Sequence, residues 1–276
     1  MAAYPAVSAP YGLKPINLIG GQVFAGSTRN FPIQYNYGTA IFYGDSVSLS
    51  AGYAQLTTYP VNSTNTTVGI FLGCYYTNPT TKQRQYAQYY PGNVLAGDIT
   101  AIVADDPDVL MQVAATTTAG GTTIGSVSSL LVGSNIVGGT QTGSASTGNS
   151  SMSVVSASAA GATTAGFRII QLIPDTQIST SCTYVSGGAA AATSVVVSGL
   201  TVGQYLPVGT DVYNLVNGQL QYTGATLSSA STVTTTGNTT LTVTSIATQV
   251  AGTVVLVQTP EAVVKYNFGV HRYNIA

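Results

Sequence analysis

The chain holds few groups able to do chemistry, and they are scattered. It has one histidine, His271. A Ser-His-Asp triad would have to use it as the base, with an acid to orient it and a nucleophile in reach. No G-x-S-x-G turn precedes it and no acidic residue lies near it in sequence, so it reads as a surface or interface histidine. The densest carboxylate group is Asp105-Asp106-Pro107-Asp108, with Asp98 nearby. Calcium takes several carboxylate and carbonyl oxygens, but the spacing lacks the order of an EF-hand loop and its closing Glu. Asp before Pro, followed by Asp, is ordinary turn chemistry, and no metal site is assigned. Glycoside hydrolysis needs two carboxyls flanking a sugar. Glu261 is the one glutamate and there is no tryptophan; the 18 tyrosines leave room for sugar stacking without hydrolysis. No phosphate loop, dinucleotide fingerprint or zinc motif is present. The sequence therefore assigns no catalytic residue and no cofactor. It implies a protein that acts through surface and shape, not an enzyme.

Cys74 and Cys182 fall in neither a CxxC nor a metal-type spacing. They read as two buried reduced thiols, with a disulfide between them as the alternative. The sequons at Asn62, Asn65, Asn149 and Asn238 read as chance products of an Asn/Ser/Thr-rich chain, because no secretory leader is visible.

Charge sets the next bound. Charged residues make up 5% of the 276 residues, against about 25% in an ordinary soluble domain. A net charge of −1 gives no long-range field, and seven basic residues scattered from Lys14 to Arg272 make no stripe. Nucleic acid and an anionic membrane surface are thus excluded as expected partners. A neutral surface built from Thr, Ser, Asn, Gln and Gly promotes association, which suits a subunit packed in an assembly. No apolar stretch approaches the roughly 18 residues of a spanning helix, and the expectation is synthesis in the cytoplasm.

The elements that must position any site are strands. Apolar residues at helical spacing are almost absent. Short Val-, Ile-, Thr- and Tyr-rich runs separated by Gly, Pro and Asn fill the chain, the pattern of an all-β protein. Gly followed by Asp or Thr precedes a short strand near residues 44, 97, 209 and 252. Glycine supplies the positive φ of a tight turn, and the Asp or Thr side chain can bond nearby backbone. Two such sites fall early and two late, which implies two small β units.

Residues 1–38 read as an extended N-terminal arm, interrupted by Pro5, Pro10, Pro15 and Pro32 and carrying Tyr4, Tyr11, Tyr35 and Tyr37. Such an arm either lies against a neighbour or folds over its own barrel. Residues 39–175 read as the β core, a small barrel or sandwich. Strands are expected near 40–43, 46–49, 68–72, 85–90, 99–104, 109–113 and 167–173, with an exposed loop over 76–84. Its Ser/Thr/Gly-rich stretch, 114–166, is expected to be ordered but loosely patterned. Residues 176–260 read as an inserted second β domain. Asn217-Gly218, flanked by Val212, Leu215, Leu220 and Tyr222, is its strongest hairpin signal; residues 239–244 alternate strictly. Residues 261–276 return a strand to the core.

The segment Tyr11-Gly-Leu-Lys-Pro-Ile-Asn-Leu-Ile-Gly-Gly21, followed by Gly26-Ser-Thr-Arg29 and Pro32-Ile33, resembles the start of a set of tailed-bacteriophage virion proteins, many from aquatic and cyanobacterial phages. Thr39–Asp45, Val68–Gly73, Tyr76–Pro79, Gln88–Asn93 and Ala104–Asp108 continue the resemblance, and Phe167–Ile170 with Val263–Asn267 resembles a closing pair of strands. The resemblance covers about the first 110 residues, and the order of the motifs carries it. It implies a capsid decoration or cement protein on the virion surface, in many copies, clamping the major capsid protein lattice and itself as a homodimer or homotrimer. It implies no catalytic residue. The insert 176–260 departs from the pattern, as does the ending, where Asn267, His271 and Tyr273 stand apart.

Interface residues expected on this reading lie in the arm: Tyr11, Lys14, Pro15, Arg29, Tyr35 and Tyr37, because Tyr and Arg are favoured anchors. The alternative is a carbohydrate- or receptor-binding module of a phage tail or surface fibre. A third reading, an outer-membrane barrel, lacks the leader and the regular ten-residue strands that it needs.

Overall fold

The computed structural model describes residues 7–59, 67–140, 142–156, 165–187, 191–246 and 252–267. They form an all-β protein of antiparallel sheets, with short 3-10 turns at Ser129–Leu131 and Pro174–Thr176. The tail bearing His271, Arg272 and Tyr273, and the sequons at Asn62 and Asn65, lie outside these residues.

One six-stranded sheet is built on β1 (Lys14–Leu18), β8 (Val109–Thr116), β20 (Glu261–Tyr266), β11 (Phe167–Leu172) and β9 (Asn135–Ile136), in that order, with β10 (Val154–Val155) parallel to the end of β8. A second runs β2 (Arg29–Pro32), β7 (Thr100–Ala104), β5 (Thr67–Thr77), β3 (Ser46–Ser50) and β4 (Tyr53–Leu56), with β6 (Arg84–Ala87) along the far half of β5. Alternation along β5 ties them together: Phe71 enters the core of Ile41, Val47, Tyr90 and Ile99, whereas Ile70 enters that of Leu13, Met111, Phe167 and Tyr266. A bulge between Phe71 and Gly73 bends β5, so its first half pairs with β3 and its second with β6. The glycines of Val68-Gly-Ile-Phe-Leu-Gly73 have a steric reason. A Cβ on Gly69 would sit 2.1 Å from the Ala104 carbonyl oxygen.

The third sheet is ordered β16 (Gln219–Thr226), β15 (Asp211–Val216), β19 (Thr253–Gln258), β12 (Ile178–Gly187), β13 (Ser194–Ser198) and β18 (Asn238–Thr242). Backbone bonds between Thr244 and Thr226 and between Ser228 and Thr242 draw its two edges together. The strands thus wrap into a barrel around Val195, Val197, Leu206, Val212, Leu241, Val254 and Leu256. A short pair, β14 (Tyr205–Leu206) with β17 (Ser231–Thr232), caps it. The β15–β16 turn is Asn217-Gly218 with φ of 51° and 77°, the left-handed pair that a type I′ turn requires. This sheet lies wholly between β11 and β20, which pair with each other from Phe167↔Tyr266 to Leu172↔Ala262. A seam of hydrogen bonds fixes it to the rest. Asp211 accepts from Ser128 Oγ at 2.6 Å and Ser129 N at 2.9 Å, and Ser126 Oγ accepts from Thr259 N at 2.9 Å.

The N-terminal arm is extended, and its described part lies along this chain's own sheets. β1 and β2 are edge strands, the positions where Pro15 and Pro32 cost no ladder bond, and Leu13 and Ile33 are buried. Two expected strands differ. Residues 40–43 make only isolated bridges, Ile41 to Tyr90 and Tyr43 to Asn149, because the chain turns at Gly44, where φ is 90°. The strand expected over 85–90 shortens to β6.

That turn is part of a three-way crossing. Leu13 N donates to Gly44 O at 2.9 Å, Gly12 N to Met152 O at 3.1 Å, and Ser150 N to Tyr43 O at 2.9 Å. Gly12 and Gly44 pass so closely that a Cβ on Gly12 would stand 3.2 Å from the Gly44 Cα. Asp45 sits beneath the crossing, buried, accepting from Phe42 N at 2.7 Å and Ser150 Oγ at 2.5 Å.

Candidate interaction surface

The acidic residues that sequence alone could not separate have distinct structural tasks. Asp105 is buried and pairs with Arg29 Nε at 3.0 Å. Asp106 Oδ1 accepts from Asp108 N at 2.8 Å, the Asx-turn geometry, and Asp108 lies 3.5 Å from Lys265 Nζ. Asp98 accepts from Thr77 N and Oγ1, which holds its carboxyl below the usual range. Among the described residues no three His, Cys, Asp or Glu side chains converge as a metal site would require. Cys74 and Cys182 are unpaired and buried in different cores, where burial pushes both thiols up to about 12. Separate cores rule out the alternative of a disulfide between them.

The six arm residues do not form one patch. Tyr11, Lys14 and Pro15 sit at the β1 edge. Lys14 Nζ lies 4.0 Å over the Tyr11 ring. The Tyr11 hydroxyl donates to Glu261 Oε1, which also accepts from Gln112 Nε2 at 3.0 Å. Burial first, and then this acceptor and its charge, push the Tyr11 phenol far up. Arg29 and Tyr35 belong to the second sheet's side, with Tyr35 58% exposed. Tyr37 is half-buried against Tyr90, and its hydroxyl accepts from Leu56 N at 3.2 Å, so it holds its own core together.

A more organised surface lies on the β5–β6 hairpin. The register pairs Tyr75 with Tyr86 and Thr77 with Arg84. Alternation sends Cys74 and Tyr76 into the core and leaves Tyr75, Thr77, Arg84 and Tyr86 on the opposite face. The two tyrosine rings lie 5.5 Å apart. The Arg84 guanidinium rests 4.2 Å from the Tyr75 ring centroid and 5.7 Å from that of Tyr86. Asn30 Nδ2 reaches the Tyr75 hydroxyl at 3.5 Å. Tyr86 is 69% exposed. Each ring contact with the cation is worth about 0.5–1 kcal/mol at an exposed site. The guanidinium is therefore oriented before any partner arrives, with donors still free at its rim. Rigid aromatics beside an oriented arginine are the residue types that dominate protein–protein anchoring. Sequence reading missed this face because it placed 76–84 as a loop. The signal was the near-symmetry of Tyr75 and Tyr86 about that loop's centre.

No protein-family description, no curated protein and no solved structure matches this chain.

Proposed function

We propose that this chain is a structural protein of a bacteriophage particle, a capsid decoration or cement protein. It would bind the outer surface of the capsid lattice and bridge neighbouring subunits. The single observation that carries this reading is the Tyr75–Arg84–Tyr86 face, a contact surface organised in advance on a rigid sheet. The order of the N-terminal motifs supports it, as does a charge content of 5%, which lowers the repulsion between crowded copies. Each copy would bury a standard interface of about 1,600 Å², and the gain is multivalent across the shell.

The test uses particles from the phage that encodes the chain. Shells stripped of the protein are mixed with purified full-length chain, and bound copies are counted after sedimentation. Wild type should rebind in many copies per shell, and the double variant Arg84→Ala/Tyr86→Ala should bind at least tenfold more weakly with an unchanged melting temperature. Rebinding unaffected by the double variant removes the face from the interface. Absence of the chain from purified particles, or only a few copies each, removes the decoration role and favours a tail fibre.

A further inference from the structure

A second feature, which shares no residue with that face, lies where the barrel meets the body. A cleft of about 430 Å³ opens between the start of the described chain, the 122–125 segment and the β14 cap. Its walls are held before any ligand enters. Thr117 N donates to Thr123 O at 3.1 Å, Gly125 N to Ala115 O at 2.8 Å, and Val127 N to Thr259 O at 2.9 Å. This size falls within the usual range for small-ligand sites, roughly 300–1,000 Å³.

The chemistry of the lining narrows the ligand. Among the described residues no Asp, Glu, Lys or Arg lines the cleft, so a charged ligand would lose hydration with no opposite charge to offset it. Val7, Ile124, Ile178 and Pro260 give it an apolar floor. The rim is amide and hydroxyl: Ser8, Thr122, Thr123, Gln204 and Gln258. The Gln204 amide is already oriented, its Nε2 donating to Thr180 Oγ1 at 2.8 Å, which leaves Oε1 as an acceptor. The side chains of Ser8, Thr122, Thr123 and Gln258 make no hydrogen bond to another described residue. A wholly apolar ligand would displace water from these groups and return no partner. Tyr205 presents its ring at the edge, 37% exposed. Ring, apolar floor and uncharged donors and acceptors together match one class of molecule, a sugar with an apolar ring face and a hydroxylated edge.

We propose that this cleft binds a neutral oligosaccharide. The Tyr205 ring stacks on the apolar face of one sugar, and Gln204, Gln258 and the two threonines meet its hydroxyls. This assignment is independent of the decoration reading, because the cleft and the Tyr75–Arg84–Tyr86 face share no residue.

The experiment titrates full-length protein with cellobiose, maltose and N,N′-diacetylchitobiose, using saturation-transfer NMR and calorimetry. A sialylated trisaccharide and a glucosamine dimer serve as charged comparators. At least one neutral sugar should bind with a dissociation constant of about 1 mM or tighter, and neither charged sugar should bind as well. Tyr205→Ala should weaken binding about tenfold, and Tyr205→Phe, which keeps the ring, should hold it within about twofold. Gln258→Ala should weaken it severalfold, and Tyr86→Ala should leave it unchanged. Gln258→Ala also stands as the reading variant if Tyr205→Ala melts early. The proposal is overturned if no neutral sugar binds, if a charged sugar binds best, or if neither cleft variant changes the affinity.

Discussion

Replacing Asp45 with asparagine should remove a loss of stability that the protein suffers as pH rises through neutrality. The carboxyl is almost fully buried beneath the crossing of Gly12, Gly44 and Ser150. Desolvation raises its pKa from 3.8 to about 7, outweighing the Ser150 and Phe42 donors that favour the charged form. A folded-state pKa above the unfolded one means that the native protein holds an extra proton between these two values. The contribution is fully present below pH 4 and is lost as pH climbs through 7. A shift of about three units corresponds to about 4 kcal/mol at pH 8, as an order of magnitude. Asparagine keeps the shape and cannot ionise. Its Oδ1 can accept from Phe42 N, and its Nδ2 can donate to Ser150 Oγ. Urea unfolding of both proteins at pH 4.5, 6, 7 and 8 isolates this one group, because every other carboxylate cancels in the difference. Asp45→Asn should be close to wild type at pH 4.5 and more stable by several kcal/mol at pH 8. A difference that stays constant across the range, or a variant less stable at pH 8, would refute the reasoning.

Other perturbations probe packing and accessibility. Gly69→Ala drives a methyl into the Ala104 carbonyl and should cost about 3 kcal/mol or prevent folding, read by chemical denaturation. Asp211→Ala removes the acceptor of Ser128 Oγ and Ser129 N; about 2 kcal/mol should be lost, with hydrogen exchange rising first along residues 126–131. Tyr266→Phe deletes a buried hydroxyl bonded to Ser46 Oγ and the Gly69 carbonyl, and the melting midpoint should fall by the equivalent of about 1 kcal/mol. Cys74 and Cys182 should resist a thiol reagent in the native protein and both react after denaturation, without any reductant. One mole of label or none after denaturation would mean that they are not two free thiols.

Local chemistry was legible in the sequence, and long-range partnership was not. The strand character of the chain and the Asn217-Gly218 turn follow from residues close together, as do the turn bonds of Asp45 to Phe42 N and of Thr210 to Pro207 O. Each needs only φ preferences and side chains within a few positions of their targets. Pro15 and Pro32 mark an extended arm, because a proline in a central strand would break the ladder, and they leave open whether it lies against a neighbour or over its own barrel. They turn out to occupy two sheet edges, and edge status depends on which distant strands arrive alongside. Tyr11 and Glu261 are bonded across 250 residues, and no spacing rule reaches that far. The Tyr75–Arg84–Tyr86 face needed the hairpin register before its residues could be seen to meet. The arm's incorporation also changes how it can be tested. Removing residues 1–38 would take β1, β2, Leu13 and Ile33 from the fold, so single-residue variants are the cleaner probe.

The pairing of Leu172 with Ala262 has a practical reach beyond this molecule. Directly opposed residues in antiparallel strands sit about 5 Å apart, so the 89 positions between them leave and re-enter through one narrow doorway. Any compact module whose own termini are adjacent could be spliced there without retracking the body, provided the polar groups of residues 126–129 were given new partners. Such a doorway lets one scaffold carry interchangeable heads, with the two sheets of the body left in place.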